Sequence, residues 1–267
     1  MTEFRGQEYE SSGYKAQASV KEKRTRAVVE SGQFSVAKVL LWLGLGLLIT
    51  GVVSLGMPDL LLLIATYSGA QAASDFYRGI MIASLVLILP SVIIINIQAF
   101  FRNKGLMITS YLFYTLFMGV FLSSLMMTIF ATEPTSFIRT ISIAFLVTSA
   151  VFLLFGFLGM KLKINHLLLW VVLMSIFGGV VTLSLVSFFL PSGTLPYVSL
   201  IITGALLLYM LIMVVLDFNR VKRLAEAKDQ LSNGDNLAIY CAYNLYIDFI
   251  YIFIRILIFI AATSRRN

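Results

Sequence analysis

Two aspartates are the residues of this chain best suited to chemistry. Asp217 ends the apolar run "YMLIMVVLDFNRVKR", and Asp248 stands inside "YCAYNLYIDFIYIFIRILIF", residues 240–259. Both runs read as membrane-crossing segments. A carboxylate at mid-membrane costs on the order of 3 kcal/mol, and it is kept where it faces a protein interior or water and has a partner. Asp248 lies ten residues past Ala238, so it sits roughly 15 Å into the membrane at about 1.5 Å per helical residue. Asp217, near a segment end, can reach water cheaply. If both side chains enter one cavity they share a proton. Such a pair is expected to titrate near neutrality. Spacings of three, four and seven residues put Asn244, Asp248, Tyr251 and Arg255 on one helix face, a polar stripe that calls for an interior. Arg102 is the nearest cationic latch for either acid.

Each of these has a plainer reading. Asp248 would serve equally as a structural polar clasp, Arg102 as a headgroup anchor, and Ser123 and Ser124, close to Gly119, as small residues that let helices approach. The remaining acids lie elsewhere. Of the 13 Asp and Glu residues, Glu3, Glu8, Glu10, Glu22 and Glu30 fall in the N-terminal segment, Glu226, Asp229 and Asp235 between the last two apolar runs, and Asp59, Asp75 and Glu133 in or beside other loops.

The elements that must hold the aspartates follow from composition. Hydrophobic residues make up 59% of the 267 and charged residues 12%, with a mean hydropathy of +0.93, whereas a soluble domain carries about 25% charged residues. The chain is therefore expected to be an integral membrane protein. Seven apolar segments run from Ser35 to Gly56, Phe76 to Phe100, Leu106 to Ala131, Phe137 to Leu158, Leu167 to Leu190, Tyr197 to Leu216 and Ala238 to Ala262. Continuous apolar runs satisfy their backbone in lipid as helices, not as barrel strands. The expected fold is an all-α bundle of seven transmembrane helices, residues 35–262, with the polar-striped last helix central and wrapped by the others. The stretch Asp59 to Ala73 is apolar but short, and reads as an interfacial or re-entrant piece. Residues 1–34 read as a disordered tail, and 263–267 as a short basic one. The first helix serves as its own insertion signal.

Basic residues set the orientation. The N-terminal segment through Lys38, the loop with Arg102 and Lys104, the loop with Lys161 and Lys163, and the loop with Arg220, Lys222, Arg223 and Lys228 lie on one side, against Arg78 and Arg139 on the other. The positive-inside rule then makes the N-terminus cytoplasmic. A full seventh span places Arg265 and Arg266 outside, against that rule. The span is preferred over a re-entrant one because it is long enough and contains no Gly or Pro to turn it. The net charge of +7 is accounted for by topology and anionic lipid, without nucleic acid. One cysteine, Cys241, and one histidine, His166, make neither a disulfide nor a metal site. They show no spacing of a nucleophile and base, so no enzyme and no bound cofactor are expected.

Four stretches in register carry a resemblance: "LFYTLFMGVFLSSLM" at 112–126, "SIAFLVTSAVFLLFGFLG" at 142–159, Asp217 ending the sixth segment, and "NLYIDFIYIFIRIL" at 244–257. Together they resemble the transmembrane Bax inhibitor motif family, in its bacterial branch. The resemblance implies a seven-helix protein with a central last helix, conducting a pH-sensitive calcium leak in a bacterial cell membrane. It further implies that Asp217 and Asp248 form a di-carboxylate proton sensor and that Arg102 latches onto Asp217. Calcium takes oxygen ligands, so a weak, transient calcium site on the two carboxylates is compatible with that role, with Asn244, Ser123 and Ser124 as neutral candidates along the ion path. The chain departs from the family pattern in "LDFNR", where Thr-Gln usually follows the aspartate, in the longer "AEAKDQLSNGDN" loop, and in the second helix, which offers Asn96 and Gln98 in place of an acid.

Two other classes remain open on sequence. A non-conducting regulatory membrane protein, binding a membrane protease or a cell-death partner, would work through its loops and N-terminal tail and would not need Asp248. A proton-coupled exchanger would use the same two aspartates with saturating, stoichiometric flux.

Overall fold

Residues 34–98, 103–132, 137–162, 166–189, 195–227 and 234–264 are described by a computed structural model. Arg102, the chain before Phe34 and the last three residues lie outside them. The described residues form α1 (Val36–Ser68), α2 (Ala70–Gln98), α3 (Lys104–Thr132), α4 (Phe137–Lys161), α5 (His166–Ser187), α6 (Leu195–Glu226) and α7 (Gly234–Ser264). All seven are long and apolar enough to cross a membrane, and no strand occurs among the described residues. The protein is a multi-pass, all-α membrane bundle.

The last helix is the axis of the bundle. Half of its membrane-length window, 50%, is buried within the protein, against 11% for α5. It packs on α1, α3, α4 and α6, while α5 packs on α6. The polar residues of α7 follow from this position, because a helix wrapped in protein keeps side chains that lipid would reject.

Helix α1 corrects the reading of Asp59 to Ala73 as a re-entrant piece. It runs unbroken through Pro58 to Ser68. Proline forfeits only the bond to the carbonyl four residues earlier, a loss that helices in membranes tolerate. At about 1.5 Å per residue α1 is about 50 Å long, well beyond the roughly 30 Å hydrocarbon core, so tilt and extension into the interface replace the supposed loop. The helix stops at Gly69, whose φ of 90° suits a residue without a Cβ, and α2 begins at the next residue. Phe34, placed in the tail by sequence, is buried in the core with 2% exposure.

Close approaches fix the helices around α7. Gly159 of α4 lies so near the Val215 carbonyl of α6 that a Cβ would collide with that oxygen. On the opposite flank the Tyr111 hydroxyl of α3 donates to the Trp42 carbonyl of α1 at 2.8 Å. Thr50 of α1 donates to the Thr115 carbonyl at 2.9 Å and also meets the Tyr246 hydroxyl of α7.

Candidate functional site

The site is built from two aspartates and the aromatic residues that follow them. Phe218, next to Asp217, packs edge-on against Phe152 of α4 with ring centroids 5.4 Å apart. Phe249, next to Asp248, packs edge-on against the same Phe152, also at 5.4 Å. One aromatic ring of α4 thus sets α6 against α7 at the level of both acids. Asn219 completes the lock, donating through Nδ2 to the Gly159 carbonyl at 3.0 Å and the Leu162 carbonyl at 3.3 Å.

Asp217 and Asp248 then face one cavity of about 540 Å³. Asp248 is buried, with 5% exposure, and Asp217 is half-buried. Among the described residues no N–H or hydroxyl donor is directed at Asp248 Oδ2. The acidic group beside it in the cavity is the carboxyl of Asp217. Two carboxyl groups bond only with a proton between them. Asp248 lies 14 residues from the start of α7 at Gly234 and so about 21 Å along its axis.

Arg220, Arg223, Tyr240 and Asn244 line the same cavity. The Arg220 guanidinium lies over the Tyr240 ring, 5.2 Å from its centroid, a cation–π contact. It also acts on Asp217 through its charge. Asn244 stands one turn before Asp248 and offers an amide oxygen. The oxygen-bearing side chains of the lining are Asp217, Asp248, Asn244 and Tyr240, and among the described residues no group of three or more His, Cys, Asp or Glu side chains comes together. The cavity thus brings two carboxyl groups, an amide, a phenol and two guanidiniums together.

A profile described as "Inhibitor of apoptosis-promoting Bax1" (Bax1-I) matches residues 33–265. The chain belongs to that family. A search of curated proteins finds no match. In this Bax1-I family member the departure "LDFNR" has a packing explanation: Phe218 fills the space over Gly156, where a Cβ would come within 2.7 Å of its ring, and Asn219 binds carbonyls at the end of α4.

The other sequence candidates lie elsewhere. Ser123 is buried and donates to the Val120 carbonyl within its own helix. Ser124 donates to the Phe121 carbonyl at 2.8 Å. Neither lines the aspartate cavity. Arg255 is half-buried and Tyr251 is 49% exposed, so the expected interior stripe narrows to Asn244 and Asp248. At about 100° per residue, Tyr251 is turned about 60° from Asp248, which brings it out of the bundle. Arg102 lies outside the described residues. Arg220, Tyr240 and Asn219 are site residues that sequence reading passed over. The first and last sit in a basic segment that reads as a loop and a topology signal, and Tyr240 sits at the start of a greasy run.

Proposed function

We propose that this Bax1-I family member is a pH-sensitive calcium leak, with Asp217 and Asp248 as its proton sensor, seated in a bacterial cell membrane with the N-terminus cytoplasmic. The observation that carries this reading is the presence of two carboxyl groups in one cavity of a central transmembrane helix. Buried acids that pair with each other across helices mark proton relays and ion paths. With the pair's proton in place, the two helices are held together by a carboxyl–carboxyl bond. When that proton leaves, like charges repel and a divalent cation takes its place between them. Arg102, by resemblance to the family, closes the cytoplasmic mouth on Asp217 and is released when the acid is neutralised. Because acid both frees the latch and displaces calcium, flux peaks at an intermediate pH. The basic residues gathered at one end support the orientation.

The test is calcium flux into dye-loaded liposomes containing the purified protein, from about pH 5 to 8 across the ordinary carboxylate-to-histidine range. The parent is expected to conduct with a pH dependence that Asp248→Asn and Asp217→Asn each abolish. Parent flux no greater than that of empty liposomes would sink the proposal, as would an Asp217→Asn protein with the parent's full pH response.

A further inference from the structure

We propose that the end of the bundle where α6 finishes holds an anionic phospholipid, with its headgroup on Arg220 and Arg223 and an acyl chain along α5. The two arginines stand one turn apart on α6 and line one cavity together with Trp170 of α5. Trp170 also lines a second, almost wholly apolar groove, with Leu167, Val171 and Met174. That groove follows one face of α5 from its first turn for about 12 Å at helical rise. A basic pocket and an apolar groove therefore lie on either side of one tryptophan, the side chain that settles at the headgroup level of membranes.

Charge and shape select the occupant. Arg223 is exposed, and Arg220 is exposed while resting on the Tyr240 ring, so both guanidiniums keep donors for a phosphate, which arginine binds through its planar fork. With the shared proton of the proposed sensor in place, on which this step rests, the two carboxyl groups carry one negative charge against two guanidiniums. A soluble anion would use the arginines but not the groove. A zwitterionic lipid would use the groove but gain little from the arginines. An anionic lipid uses both, and α5, with only 11% of its membrane-length window buried in the protein, gives it entry from the bilayer.

The chain contains two tryptophans, and Trp42 lies against Tyr111 at the far flank. A Trp42→Phe protein therefore reports on Trp170 alone. Reconstituted in phosphatidylcholine vesicles doped with brominated lipid, it should be quenched by brominated phosphatidylglycerol at a lower mole fraction than by brominated phosphatidylcholine. The expected preference is about fivefold for each arginine engaged. Arg223→Gln, a change at an exposed residue that leaves packing untouched, should reduce that preference about fivefold, and Arg220→Gln with Arg223→Gln should remove it. Lys222→Gln, which deletes the same charge from a residue outside the cavity lining, should leave the preference in place. Equal quenching by the two lipids overturns the proposal. So does a Lys222→Gln effect as large as that of Arg223→Gln, which would make the preference a general property of a basic surface. Loss of the preference on adding inorganic phosphate also overturns it, assigning the arginines to a soluble anion.

Discussion

Asp217 and Asp248 meet because the residues that follow them, Phe218 and Phe249, both pack edge-on against Phe152 of α4. Phe152 is thus a positioning residue for a contact in which it takes no part. Removing the ring leaves two aromatic partners unsupported. Phe152→Ala is expected to destabilise the bundle by on the order of 3 kcal/mol, seen as a lower Tm by circular dichroism in detergent. Phe152→Leu keeps most of the buried volume, so the fold should survive. It loosens the carboxyl contact, and the pH profile of calcium flux should move while the maximal flux stays.

The α4–α6 contact makes a second prediction. Gly159 leaves no room for a Cβ beside the Val215 carbonyl, and its own carbonyl accepts from Asn219 two residues beyond Asp217. Gly159→Ala should push α6 outward. It should lower stability by about 1–3 kcal/mol, as forced overpacking does, and also blunt the pH response. Gly178→Ala, where nothing lies within 4 Å of the added Cβ, is the control and should do neither.

Much of this arrangement is legible in the sequence, for a physical reason. Lipid tolerates so few polar groups that Asp248 had to lie inside the bundle, and the helix that carries it had to be central. What escaped the sequence depends on partners from distant helices. Asn219 reads as one more polar residue before a basic loop, since its acceptors are the carbonyls of Gly159 in α4 and of Leu162 just past its end. Asp59 to Ala73 reads as a piece separate from the first segment, yet a helix longer than the membrane continues through Pro58 and Asp59 to Ser68. Tyr251 and Arg255 share a face with Asp248 by spacing, but α7 leaves its collar of neighbours on that side, which spacing along one helix does not encode.

Arg220 sets the electrostatics of the cavity mouth. A guanidinium resting on Tyr240, with a carboxylate one turn back, repels a cation that approaches the aspartates. Arg220→Gln should therefore raise calcium flux at any pH where the parent conducts, by several-fold at low ionic strength and less in high salt, in keeping with screening over about 10 Å at 0.1 M. Tyr240→Leu, which frees the guanidinium without removing it, should change flux less. A liposome assay at two salt concentrations separates the cases, and lower flux in Arg220→Gln would contradict the assigned role.

At the start of α7, Asp235 joins three helices at one end of the bundle. Its Oδ1 lies 2.7 Å from Lys38 Nζ of α1, and its Oδ2 lies 2.8 Å from Lys104 Nζ of α3. It also sits in the first turn of α7, where a negative charge is favoured by the helix dipole. Exposed ion pairs contribute about 0–1 kcal/mol each, and this acid is shared by two lysines. Asp235→Asn removes both pairs and leaves Lys38 and Lys104 facing each other without the intervening charge. The expected loss is about 1 kcal/mol at low ionic strength, read as a lower Tm. Raising the salt should shrink the difference from the parent, because the same screening that weakens the parent's pairs also relieves the lysine repulsion in the variant. A Tm difference unchanged by salt would mean that Asp235 holds α7 through packing and the helix dipole, not through its two lysines.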